Sequence, residues 1–148
     1  GRLDEDSEGL LLLTTDGKVS DYICSSKVDK EYYVQVDGMI TEEAISKIKS
    51  GVEIGFEGTK YITKPCQAYI LESIPDFGPR AKKIRDERHG PTSWASITVN
   101  EGKFRQVRKM TAAVGFPTLR LVRVRIGKVH LNQLQSGQVV EVSKFNIL

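Results

Sequence analysis

Two cysteines and two histidines are the only thiol and imidazole groups in this 148-residue chain. Cys24 and Cys66 are far apart and lack metal-type spacing, which argues against a zinc site or a disulfide framework and fits a reducing cytoplasm. Both read most simply as small buried residues. His89 falls in a basic loop and His130 in a turn, with no serine or cysteine suitably placed for a nucleophilic triad. No apolar run approaches the roughly 20 residues of a membrane helix, and the start lacks the basic, apolar and small-residue sections of a signal peptide. Internal repeats and low-complexity tracts are also missing. What remains is one globular domain, long enough for a sizeable core, with no membrane as partner.

Charge is plentiful but unevenly placed. Residues 1–79 hold 8 Lys/Arg against 15 Asp/Glu, and residues 80–128 hold 13 against 3, so a net charge of +3 conceals an acidic half and a basic one. Lys103, Arg105, Arg108, Lys109, Arg120, Arg123, Arg125 and Lys128 follow one another without an intervening acid. A short run of this kind is a solvated face. Eight uncompensated cations, with a further basic loop at 80–88, predict a phosphate-rich partner such as nucleic acid.

Short strands and helices alternate along the chain. Leu10 to Thr14 reads as a buried strand, and Asp16 as the cap of a short helix burying Val19, Tyr22 and Ile23. Lys30 to Asp37 is a strand with Tyr32, Val34 and Val36 on one side. Thr41 caps a helix that carries Glu42 and Glu43 in its first turn and stops at Gly51. Pro65 to Ile74 and Trp94 to Asn100 read as strands, separated by a long proline- and glycine-rich loop over 75–93. EGKFRQVRKMTAAVG leads into a helix with Val107, Met110, Thr111 and Val114 inward. TLRLVRVRIG is a strand whose parity shift predicts a β-bulge between Leu121 and Val122. Gln138 to Val142 reads as the last strand.

The opening GRLDEDSEGLLLLT sets four acids against four leucines. Asp4, Asp6 and Gly9 fit the start of an EF-hand loop, but Thr15 stands where the bidentate Glu is needed, so calcium fails. The D-x-D of aspartyl phosphatases, which work with magnesium, should follow a buried apolar strand that is not there. Taken alone, the cluster is then a wet acidic turn.

Its surroundings give it a further reading. GRLDEDSEGLLLLT, KEYYVQV at 30–36 and EGKFRQVRKMTAAVGFPTLRLVRVRIG at 101–127 resemble, in order, three motifs of the pseudouridine synthases, specifically the RsuA-type family that modifies ribosomal RNA. KKIRDERHGPTSW is similar to a branch acting on large-subunit rRNA. The resemblance implies an α+β fold, a mixed, mainly antiparallel β-sheet with flanking helices, and makes residues 1–148 a catalytic domain. The family carries a segment upstream of the first motif, so an N-terminally truncated domain with an exposed sheet edge is expected.

Carried over by resemblance, Asp4 is the catalytic aspartate and Arg2 the arginine before it. Tyr32 is the tyrosine that stacks on the target base and accepts a proton, with Val107 packed against it. Arg108 is the arginine that ion-pairs with the aspartate. RNA contacts are expected from Arg2, Arg80, Lys82, Lys83, Arg85, Arg88, Lys103, Arg105 and Lys109. The implied reaction is isomerisation of uridine in ribosomal RNA, with 23S RNA as partner, a cytoplasmic setting and a monomeric enzyme. It exchanges the N1–sugar bond for a C5–sugar bond and needs no cofactor or metal. It does need an ionised carboxylate, which a neighbouring arginine favours, and an extruded base supported by stacking. The competing expectation is an RNA-binding module of ribosome assembly without catalysis, against which Asp4, Tyr32 and Arg108 together speak.

Overall fold

The computed structural model describes residues 2–80 and 87–147. Along them run β1 (Glu8–Gly9), α1 (Gly17–Cys24), β2 (Lys30–Asp37), α2 (Glu42–Ser50), β3 (Glu53–Phe56), β4 (Thr59–Ile62), β5 (Gln67–Ile70), β6 (Thr92–Val99), α3 (Gln106–Ala113), β7 (Thr118–Ile126) and β8 (Val129–His130). The expected α+β class is what forms.

Local chemistry accounts for the helices. The Asp16 carboxylate accepts the N–H groups of Lys18 and Val19 at the head of α1, whose Ile23 is buried. Thr41 Oγ1 accepts the Ala44 N–H of α2, with Glu42 and Glu43 at the positive end of the helix dipole. Gly51 ends α2 at φ 106°, where a Cβ would lie 2.3 Å from the Thr63 carbonyl oxygen.

Strands assemble in the order β1-β7-β2-β6-β5, with β8 also on β7. Among the described residues only the β1–β7 pair is parallel. β2 and β6 are in full register from Lys30↔Val99 to Asp37↔Thr92. Alternation along β2 gives the sheet two different faces. Tyr32, Val34 and Val36 look toward a core that includes Ile45 and Ile48 of α2, Ile54 of β3, and Val107 and Met110 of α3. The other face is polar and aromatic. There Glu31 accepts from Ser96, Tyr69 and Arg125, and Phe77 lies between Tyr33 and Trp94. A second core joins Leu10, Ile23, Val28 and Ile126.

Several expectations need correction. Leu10 to Thr14 is not a strand: Leu10 is buried, but Leu11 and Leu13 are 46% and 74% exposed, because pairing with β7 stops after Gly9 and the Leu10 N–H. Gln138 to Val142 forms no strand either, and Val139 is 83% exposed. The strand expected over 65–74 shrinks to β5. In β7 the register with β2 shifts at two places, between Glu31 and Tyr32 and between Gln35 and Val36, so that Val124 and Leu119 are the extra residues rather than the Leu121–Val122 step. Cys24 is exposed instead of buried, while half-buried Cys66 has its thiol pushed up to about 11, mainly by burial. The β3–β4 hairpin was not anticipated.

Candidate active site

The acidic turn is drawn onto the sheet by the parallel β1–β7 pair, Glu8↔Val122 and Gly9↔Arg123. Gly9 adopts φ +114°, and a Cβ there would meet the Arg123 carbonyl oxygen at 2.3 Å, so only glycine allows this approach. The Leu10 N–H donates to the Arg123 carbonyl, and Arg123 Nε returns a bond to the Leu10 carbonyl. The turn itself closes with the Ser7 N–H on the Asp4 carbonyl at 3.0 Å.

Arginines from several segments then grip the turn. Arg105, just before α3, donates through Nη1 and Nη2 to the two carboxylate oxygens of Asp6 at 3.0 and 2.8 Å. Arg108, on α3, donates through Nη2 to the Asp6 carbonyl at 2.9 Å and to Ser7 Oγ at 3.2 Å. Arg80 reaches the same Asp6 carbonyl at 2.8 Å and the Leu119 carbonyl at 3.0 Å. Glu8 is held by Arg120 in a two-bond fork, both bonds 2.9 Å, while Arg120 Nη1 donates to the Gly78 carbonyl. The Arg105 fork, assisted by Arg108, holds the Asp6 carboxyl down at about 2 against the effect of burial.

Asp4 is bound more loosely. Its Oδ2 lies 3.6 Å from Arg105 Nη1 and its side chain is 30% exposed. The expected Arg108–Asp4 ion pair is therefore replaced. Arg105 makes the contact with Asp4, and Arg108 supports the turn from beneath, 3.7 Å from Asp6 Oδ1. The physical reason is local: Arg105 stands three residues earlier and, forked onto Asp6, also reaches Asp4, whereas Arg108 is only 13% exposed and lies against the backbone of the turn. Burial is the largest influence on the Arg108 guanidinium and lowers its pKa, with Asp6 opposing. Its Nε is buried without a hydrogen-bond partner among the described residues.

Tyr32 is half-buried on the sheet face that α3 covers, in the same core cluster as Val107. It pairs across β2–β7 with Arg123, which is itself paired to Gly9. One strand thus separates Tyr32 from the acidic turn.

The residues expected to contact RNA divide. Arg2 is exposed. Lys82, Lys83 and Arg85 lie outside the described residues. Arg88 is exposed in a 3₁₀ turn, Glu87–His89. Arg80 and Arg105, expected on phosphates, are engaged inside the protein as described. Lys109 Nζ donates to the Gly55 carbonyl at 3.0 Å, and Lys103 Nζ lies over the Phe56 and Tyr61 rings. Sequence reasoning missed Arg120 as an anchor of Glu8. No local signal marks that pairing, since the two residues stand 112 positions apart. Among the described residues no group of three or more His, Cys, Asp or Glu is placed to hold a metal, and none of the helices is long and apolar enough to cross a membrane.

A profile described as RNA pseudouridylate synthase matches residues 1–113. The chain belongs to that family. It is 44% identical to ribosomal large subunit pseudouridine synthase E of Vibrio parahaemolyticus, over 96% of this chain and 58% of that protein. A relative of the same name from Xanthomonas campestris pv. campestris is 44% identical over 93% of this chain and 73% of the relative. Among solved structures, a pseudouridylate synthase crystal structure superposes with a TM-score of 0.71 at 32% identity, covering 92% of this chain and 51% of that one. The chain thus spans well under two thirds of the length of the first of these family members.

Proposed function

We propose that residues 1–148 form a catalytic domain that isomerises uridine to pseudouridine in ribosomal RNA of the large subunit, acting in the cytoplasm. The relatives' names supply the substrate class. The observation that carries the reading is the division within the turn: Asp6 takes the short arginine bonds, and Asp4, two residues away, keeps an accessible carboxylate beside the same guanidinium.

In the proposed reaction the N1–C1′ bond breaks, the base turns, a C5–C1′ bond forms, the C5 proton leaves and N1 is protonated. Asp4 supplies the carboxylate set against the sugar or the ring. A preorganised anion needs no reorganisation at the moment of reaction, which is where such sites obtain most of their rate. Tyr32 supports the extruded base by stacking and accepts the C5 proton. Arg108 positions Asp4 indirectly, through the Asp6 carbonyl and Ser7. Tritium release from unmodified ribosomal RNA carrying 5-labelled uridine tests the reading. Release is expected, and RNA binding without release points instead to a non-catalytic module.

A further inference from the structure

Phe104 interrupts the basic segment before α3 with a ring that is 59% exposed. Its neighbours on both sides are fixed. Arg105 holds a left-handed backbone, φ 54° and ψ 34°, which persists in a non-glycine residue only where the surroundings enforce it, here the fork onto Asp6. The Lys103 ammonium lies 4.9 Å from the Phe56 ring centroid and 5.0 Å from that of Tyr61, fastening the preceding residue to the β3–β4 hairpin. The hairpin is in turn tied to this segment by Glu101, whose carboxylate accepts the Tyr61 hydroxyl and the Lys64 N–H. Lys109 completes the group, donating to the Gly55 carbonyl and lying 5.3 Å from the Phe104 ring centroid. Neither Lys103 nor Lys109 meets a carboxylate among the described residues, so both keep their charge for a partner.

We infer that Phe104, flanked by Lys103 and Lys109, is a stacking platform for an unpaired base next to the target uridine, the two lysines meeting the adjoining phosphates; this deepens the RNA-isomerase reading and rests on it. An exposed ring with the Lys109 ammonium over it and a second lysine, Lys103, on the residue before it matches a nucleotide, which offers a π-face and an anion together. The spacing also fits, because Arg105, the next residue, touches both Asp4 and Asp6. A protein ligand would be expected to meet a broader apolar patch without the charge.

The test is a titration of the 148-residue chain with a short fluorescent single-stranded RNA of mixed sequence, and with the corresponding duplex, by anisotropy. Phe104→Ala is expected to weaken single-strand binding by roughly 5- to 150-fold, the range that one stacked base spans. Phe104→Leu should be as weak as the alanine variant, since it keeps apolar area without a π-face. Phe104→Trp should bind like the unchanged protein, its new indole quenched by the RNA, and duplex binding should be unaltered throughout. Single-strand binding by Phe104→Ala within twofold of the unchanged chain, full binding by Phe104→Leu, or an unquenched indole would overturn the platform. The unchanged chain's tritium release is measured in parallel. Release with no effect of Phe104→Ala overturns only the platform, whereas absence of release overturns the isomerase reading and leaves the oligonucleotide titration to decide the platform.

Discussion

Asp6 accepts both terminal nitrogens of Arg105, while Asp4 keeps a 3.6 Å contact with the same group. The two carboxylates should therefore answer differently to mutation. Because Asp6 is held at about 2 in the folded protein, below its ordinary 3.8, its contribution to stability is present above pH 3.8 and is lost as pH falls through about 2. With about a third of the side chain exposed, that contribution is on the order of 1 kcal/mol. Asp6→Asn should lower the melting temperature at pH 7 and remove this part of the acid limb; an unchanged acid limb would mean that the fork does not stabilise the fold. Asp4→Asn should leave melting near that of the unchanged protein. Tyr32→Phe should keep stacking and lose the hydroxyl, so its tritium release should fall while its RNA affinity holds. Full release by this variant would exclude Tyr32 as the proton acceptor.

At the scale of the element, β1 is only two residues long, yet it sets the position of the whole turn. Gly9→Ala forces a Cβ into the Arg123 carbonyl in a backbone region that L-residues avoid. A loss of about 2–4 kcal/mol is expected, readable as a lower urea midpoint with an unchanged slope. A midpoint equal to that of the unchanged chain would show that β1 can move off β7 without cost. The elements legible in the sequence were those with a local cause. Asp16 and Thr41 announce α1 and α2, the period-2 pattern announces β2, and α3 follows from Val107, Met110 and Thr111. Where the cause is a partner strand, reading along the chain fails. Four leucines look like a strand, but β7 offers hydrogen bonds only as far as Leu10. The valines near the C-terminus fail for the same reason. The β3–β4 hairpin was missed because its turn is Glu57–Gly58, both at positive φ, a turn geometry in which asparagine or aspartate is the usual first residue.

On the scale of the whole molecule, four acids of the N-terminal half, Asp4, Asp6, Glu8 and Glu31, meet four arginines of the basic block, Arg105, Arg108, Arg120 and Arg125. Arg123 is buried against Leu10. The sequence showed the charge but not this pairing, since the partners are about 100 residues apart. It follows that the block grips fewer phosphates than its eight cations suggest. The slope of log affinity against log salt for ribosomal RNA should therefore be well short of the value of about −6 that eight neutralised phosphates give. Lys103→Gln with Lys109→Gln should reduce it further, by about 0.7 for each phosphate left without its lysine. A slope near −6 would mean that the arginines leave their carboxylates when RNA binds.

Asp4, Tyr32 and Arg108 could be proposed from the sequence by resemblance alone, whereas the contacts among them could not, because the choice between Arg105 and Arg108 as the partner of Asp4 depends on how α3 meets the turn. The central claim is that Asp4 is the reactive carboxylate and Asp6 its mount. The most direct measurement is tritium release by Asp4→Asn from unmodified ribosomal RNA labelled at C5 of uridine, alongside its RNA affinity and melting curve. No release above background with affinity and melting close to the unchanged protein is the predicted result; appreciable release by that variant would contradict the account.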